Sequence, residues 1–168
     1  RMVRGLRSLE QFVYRHADHI VIVSEGFRPH LSRCGVSDDR ISFVPNGVDA
    51  GLFAPSEPDP EYLDPDLFTL IFAGTVGLAH GIGTILDAAA QLRDERIRFL
   101  IVGSGAERAA LEERAKAESL SNVHFLGRVP RERIPGLLAA SDVALITLRP
   151  SPLFTTVLPS KMFEAMGC

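Results

Sequence analysis

Cysteine is scarce. Cys34 and Cys168 are the two in 168 residues, they stand far apart, and neither falls in a metal-ligand spacing, so free thiols are expected rather than a disulfide or zinc framework. Long apolar runs are missing as well. The longest strips, 19–23 and 68–72, are strand-sized, well short of the roughly 18 to 20 residues a bilayer requires, and the first residues carry no signal-peptide core. A cytoplasmic protein is the expectation. Charge of one sign is not in excess either. Net charge is -3, with seven basic and six acidic residues in 1–54 and eleven basic and ten acidic in 67–168, so no nucleic-acid partner is expected.

What is present is a globular composition, 46% hydrophobic and 23% charged, which fits one domain or slightly more and excludes disorder. The chain opens without an initiator Met inside an amphipathic pattern. It stops at Glu164-Ala165-Met166-Gly167-Cys168 without a helix stop signal, as expected of a piece of a longer protein.

Met2, Leu6, Leu9, Phe12 and Val13 are spaced for one face of a helix over 2–16, and 19–23 predicts a buried strand. A short helix at about 26–33 ends near Gly35, and a strand at 41–44 runs into the turn Pro45-Asn46-Gly47. From Pro55 to Asp66 four prolines and five acids fit neither a sheet nor a helix interior. That segment is expected to be a linker or surface loop between a first region, 1–54, and a second, 67–168. The second region alternates: strands 67–73, 97–102, 122–126 and 142–147, helices 82–93, 105–118 and 131–140, and a helix from about 159. One helix between successive strands implies right-handed crossovers and a Rossmann-like parallel sheet with helices on both faces, an α/β fold.

Ligands of open α/β sheets bind at the carboxyl ends of the strands, which points to loops 74–81, 103–105, 127–130 and 148–159. Gly74-Thr75-Val76-Gly77-Leu78-Ala79-His80-Gly81 puts three glycines between a strand and a helix, where backbone can approach a ligand and amides favour an anion. A turn that merely needs positive φ explains the same residues equally well. Gly103-Ser104-Gly105 suggests a dinucleotide loop, but the third glycine position holds Arg108, which speaks against a nicotinamide or flavin site. No acidic residue early in the preceding strand supports a methyltransferase. His16, His19, His30 and His124 have no metal-site spacing.

Read in order, these pieces resemble one family. Ala17-Asp18-His19-Ile20-Val21-Ile22-Val23-Ser24-Glu25, then Val44-Pro45-Asn46-Gly47-Val48-Asp49 with Phe53 and Pro55, resembles the end of the N-terminal domain and the interdomain crossover of the group 1 glycosyltransferases, which have the two-domain GT-B fold. Phe72-Ala73-Gly74, Ile101-Val102-Gly103-Ser104-Gly105, Asn122-Val123-His124-Phe125-Leu126-Gly127, Ser141-Asp142-Val143-Ala144-Leu145 and Glu164-Ala165-Met166 are similar to successive signatures of its C-terminal, donor-binding domain. The resemblance implies a retaining transferase of hexosyl or N-acetylhexosaminyl groups in bacterial surface-polysaccharide assembly, with a nucleoside-diphosphate sugar, UDP-linked by preference, as donor. It further implies a sugar or lipid-linked sugar acceptor, no cofactor or essential metal, and a place at the inner face of the membrane through peripheral association. Most of the acceptor domain is missing, so this stretch alone is expected to lack turnover. Glu164 matches the second glutamate of the family's E-x7-E motif, which binds the ribose hydroxyls; a carboxylate can accept two hydroxyl hydrogens at once. Main chain at Gly127, Arg128 and Val129 is implied for the base.

The departures matter as much. Eight residues before Glu164 stands Thr156, where many members have the glutamate that holds the donor sugar, so no catalytic residue is assigned. Thr75 and His80 replace the Arg and Lys of the R-x4-K diphosphate clamp. The expected donor-binding set is therefore Gly74, Thr75, Gly77, His80, Gly103, Gly127, Arg128, Val129, Thr155, Thr156, Ser160, Lys161 and Glu164. Within it, Lys161, the amides of 75–77 and 154–156 and partial protonation of His80 are candidates for neutralising the diphosphate. The 74–81 loop together with Pro159-Ser160-Lys161-Met162-Phe163-Glu164 resembles a subgroup that builds O-antigen and capsule glycans, including transferases of N-acetylfucosamine-like sugars. Two alternatives stay open: a sugar-nucleotide 2-epimerase of similar architecture, and a non-catalytic nucleotide-binding module, toward which Thr75, His80 and Thr156 point.

Overall fold

The computed structural model describes residues 2–152 and 154–168. The chain divides into two compact units, Arg1–Gly47 with Ser151–Leu158, and Val48–Pro150 with Pro159–Cys168.

In the first unit α1 (Met2–His16) leads into β1 (Ile20–Ile22), α2 (Arg28–Arg33) and β2 (Ile41–Phe43), the two strands pairing in parallel. A small core of Ile22, Leu31, Val36 and Ile41 forms between them. The expected helix at 2–16 is present, yet Met2, Leu6, Leu9, Phe12 and Val13 are all more than half exposed, so the apolar face that the sequence spaces is not buried by any described residue. The short 3-10 turn Phe154–Thr156 belongs to this unit: Ser24 Oγ donates to the Thr156 carbonyl, and Gly26 lies under Thr156 so closely that a Cβ would come within 2.2 Å of the Thr156 Cβ. Gly26 is glycine for that approach.

The second unit is a four-stranded parallel sheet in the order β5-β4-β3-β6, from β3 (Phe68–Ala73), β4 (Ile97–Val102), β5 (Val123–Gly127) and β6 (Val143–Ala144), with α3 (Gly83–Gln91), α4 (Arg108–Ala117), α5 (Ile134–Ala139) and α6 (Ser160–Gly167). Side chains of a strand alternate between faces, and the central strands are apolar on both. Phe72, Phe99 and Ile101 face Ile82, Ile85, Leu86, Ala89, Leu111 and Ala115 on the α3–α4 side. Ile71, Leu100 and Val102 face Leu137, with Ile134 and Leu138 beside them. A parallel sheet buried on both faces is therefore what the continuous apolar runs encode.

Three expected elements differ. The buried strand expected at 19–23 is confined to Ile20–Ile22, where Ile22 is buried but Val21 is exposed. The strand expected at 142–147 is confined to Val143–Ala144. Asp142 donates its N–H to the Thr69 carbonyl while its carboxylate accepts the Thr69 N–H at 2.7 Å, and Leu145 still donates to Ile71, after which the chain leaves the sheet edge toward Pro150. The helix expected at 131–140 is a 3-10 turn, Arg131–Arg133, followed by α5, because Pro135 suits only the first turn of a new α-helix. The Pro-rich segment 55–66 packs within the second unit: Asp59 is buried, accepts Arg133 Nε at 2.6 Å, and its N–H donates to the Gly136 carbonyl.

Candidate functional site

The carboxyl ends of β3, β4 and β5 are stitched together by backbone alone. Gly74 N–H donates to Val102, Val76 N–H to Ser104 and Gly103 N–H to Gly127, at 2.9, 3.0 and 2.7 Å. Gly103 has φ of +131°, and a Cβ there would stand 1.8 Å from the Gly74 carbonyl oxygen, so neither the conformation nor the space admits a side chain. Backbone surface is thereby left bare at the mouth of a cleft of about 520 Å³, lined by Gly74, Thr75, Gly103, Ser104, Arg128, Val129 and Arg131. A second cleft of similar size, about 510 Å³, lies by Glu112, Lys116 and Val123. It opens at the amino end of β5, whereas open α/β sheets bind ligands at the carboxyl ends, so the first is the candidate.

Arg108, at the third position of the glycine loop, does not wedge into the helix–strand contact. Its guanidinium reaches beneath Gly127, where Nη1 would meet a Cβ at 2.6 Å, and its Nε donates to Glu112 at 2.7 Å.

Behind the Gly74 edge of the cleft stands an amine from α6: Lys161 lines not the cleft but a small adjoining pocket, with Ala73, Ala144 and Glu164. Lys161 Nζ is buried, has no hydrogen-bond partner among the described residues, lies 4.0 Å from the centroid of the Phe72 ring, and would come within 2.6 Å of a Cβ at Gly74. Burial lowers its pKa to about 8, against a smaller opposing pull from Glu164. The loop that lacks the family's Arg and Lys thus has an amine beside it, delivered by another element. His80 packs edge-on to Phe72 at 5.7 Å with its Nδ1 buried and unpartnered. Burial first, and Lys161 second, hold its pKa below the ordinary histidine value. An ammonium nearby and loss of water both disfavour the second positive charge that partial protonation of His80 would place here, against a smaller opposing hydrogen bond from the Thr147 backbone.

Glu164 follows Lys161 on α6 and pairs with Arg131 at 3.9 Å. Ser160 and Thr75 are exposed, and Gly77 precedes the 3-10 turn Leu78–His80. Arg149, in the 148–159 loop, spends its charge on Glu107 at 2.7 Å. Thr155 and Thr156 are not in this unit. They group with residues 2–47, Thr155 Oγ1 donating to the Pro152 carbonyl. Leu153, in the 148–159 loop, lies outside the described residues. Arg131 was not anticipated; its only sequence signal is its place just beyond the Gly127-Arg128-Val129-Pro130 loop.

A parallel sheet with helices on both faces and a bare glycine-lined carboxyl edge defines an α/β protein of the GT-B kind. The family model "Glycosyl transferases group 1" matches residues 68–168, and "Glycosyltransferase Family 4" matches residues 1–52. The chain belongs to the group 1 glycosyltransferases. It is 30% identical, over 98% of its length and 42% of the other's, to a Pseudomonas aeruginosa protein named "Probable glycosyltransferase WbjE". It is 36% identical to the D-rhamnosyltransferase WbpZ of Pseudomonas aeruginosa over 61% of this chain and 24% of that protein. A crystal structure of Anabaena HepE in complex with UDP-glucose shares the fold, with a TM-score of 0.78 and 21% identity over 98% of this chain and 46% of HepE. The chain spans less than half the length of each of these proteins. Among the described residues, no helix is long and apolar enough to cross a membrane.

Proposed function

We propose that the protein is a retaining glycosyltransferase that moves a hexosyl or N-acetylhexosaminyl group, of the N-acetylfucosamine type, from a UDP-sugar to a sugar or lipid-linked sugar during bacterial surface-polysaccharide assembly. In this reading it works in the cytoplasm, peripherally at the inner face of the membrane. The observation that carries the reading is the buried Lys161 ammonium beside the Gly74 loop, which has no hydrogen-bond partner among the described residues. A buried amine with no hydrogen-bond partner is costly even with the Glu164 carboxylate nearby, and the diphosphate of a nucleotide sugar is an anion of the right kind. When the glycosidic bond to the diphosphate breaks, charge accumulates on the leaving oxygens, and a fixed ammonium with backbone amides lowers the energy of that state without a metal ion. Glu164 accepts the ribose hydroxyls, while main chain at Gly127–Val129 meets the base.

The UDP-glucose in the HepE complex supports a uridine donor; the D-rhamnosyl group in the name of WbpZ supports a deoxy sugar. Calorimetric titration of the intact protein with UDP-, GDP- and dTDP-sugars, followed by an assay for sugar transfer or donor hydrolysis, tests the reading. Nucleotide binding without either reaction would favour the non-catalytic module, for which the threonines at 75 and 156 speak. Failure to bind any nucleoside diphosphate would sink both.

A further inference from the structure

We infer that Arg131 positions the Glu164 carboxylate toward the ribose and so sets how strongly the protein distinguishes ribonucleotides from deoxyribonucleotides. The inference rests on the nucleotide reading of the cleft and adds a residue to it.

The short 3-10 turn Arg131–Arg133 carries two arginines with different tasks. Arg133 bolts the turn down: it donates to the buried Asp59 carboxylate from two nitrogens, at 2.6 and 3.3 Å, and also pairs with Glu61. Arg131, on that anchored base, lines the cleft together with Gly74, Gly103 and Arg128. Its guanidinium lies 5.3 Å from the centroid of the Phe53 ring. Phe53 is itself 3% exposed, and its backbone carbonyl sits so close to Gly167 that a Cβ there would be 2.7 Å away, which ties Phe53 to the end of the helix that bears Glu164. The Arg131 head is thus held over a fixed aromatic face and 3.9 Å from Glu164 Oε1.

That pair is exposed on the arginine side, 61% against 29% for Glu164, so it contributes little to stability. Its consequence is geometric. A glutamate on a helix surface has three rotatable bonds, and accepting two vicinal hydroxyls requires one orientation of the carboxylate. An arginine held on one flank restricts the carboxylate's orientation while leaving lone pairs free for hydroxyls.

The test compares UDP and 2′-deoxy-UDP by calorimetry on the intact protein. Wild type should bind UDP about tenfold more tightly, the usual consequence of leaving a carboxylate without one hydroxyl partner. Arg131→Ala should weaken UDP severalfold, leave 2′-deoxy-UDP nearly unchanged and bring the ratio toward one; Arg131→Lys should restore part of it. A melting temperature lowered by Arg131→Ala with the ratio intact would assign Arg131 a merely structural role and overturn the inference. A wild-type ratio of one would instead remove Glu164 from the ribose, and no UDP binding at all would remove the nucleotide reading itself.

Discussion

The ammonium of Lys161 stands 4.0 Å from the centre of the Phe72 ring. Phe72 is fully buried on the α3–α4 face of β3, so the ring is a fixed feature of the core whose remaining face is turned to a cation. The ring quadrupole offsets part of the cost of removing the amine from water. It does not supply a hydrogen bond, and among the described residues Nζ has no hydrogen-bond partner.

Lys161→Ala in the full-length protein should therefore lower the kcat/KM of the proposed transfer at least tenfold, about 1.4 kcal/mol of transition-state stabilisation. Arg149→Ala should cost less, because that guanidinium is already committed to Glu107. Steady-state kinetics of both variants decide the matter: a larger loss for Arg149→Ala would move the diphosphate clamp away from α6.

The lowered pKa of Lys161 makes two pH dependences. Between about 8 and the ordinary lysine value the unfolded chain binds the proton that the folded chain has released, so stability should rise with pH across that window. Affinity for UDP should run the other way, falling above about pH 8 as the free site loses its charge. Denaturant titrations and UDP titrations from pH 7 to 10 measure both, and Lys161→Met should flatten both. His80 is held below its usual range by burial and by Lys161, so no activity limb should appear near pH 6.5 to 7, and His80→Gln should keep near-wild-type kinetics at pH 7.5.

Glu164→Ala removes the carboxylate proposed to accept the ribose hydroxyls and should weaken UDP binding by roughly 1.5 to 3 kcal/mol, the range for hydrogen bonds to charged groups. A helix accepts alanine readily, so thermal melting should be nearly unchanged. Calorimetry that finds wild-type affinity would exclude the ribose assignment.

The sheet was legible because its strands are apolar on both faces: 97–102 coincides with β4, and Phe68–Ala73 falls one residue inside the expected 67–73. That Lys161 and Glu164 lie together on one helix was legible from the helix expected from about 159. Three things were not. The grouping of 151–158 with the first unit depends on contacts with Ser24 and Gly26, more than a hundred residues away, which no local pattern records. The protonation of His80 depends on burial beside an amine from a distant helix. Arg131 looks in sequence like one more exposed charge near Glu132 and Arg133; its meaning comes from Phe53 and Glu164, which lie far from it along the chain.

Substituting alanine for glycine should have opposite effects at two positions, and the contrast tests how the cleft is built. Gly5 lies inside α1 with nothing within 4 Å of the place a Cβ would take, so Gly5→Ala gains helix propensity and should stabilise by about 0.5 to 1 kcal/mol. Gly103 combines a φ of +131° with a carbonyl oxygen 1.8 Å from that place. The obstruction is backbone and cannot rotate aside, so Gly103→Ala must push apart the loops that Gly74–Val102, Val76–Ser104 and Gly103–Gly127 hold together. The expected cost is about 1 to 3 kcal/mol, the range for overpacked sites. UDP affinity should fall with it, because the same displacement moves Gly74 relative to Lys161. Equilibrium unfolding of the two variants side by side measures the stability terms, and calorimetry the binding term; a Gly103→Ala protein as stable as Gly5→Ala would show that the close approach of the loops does not hold the cleft in shape.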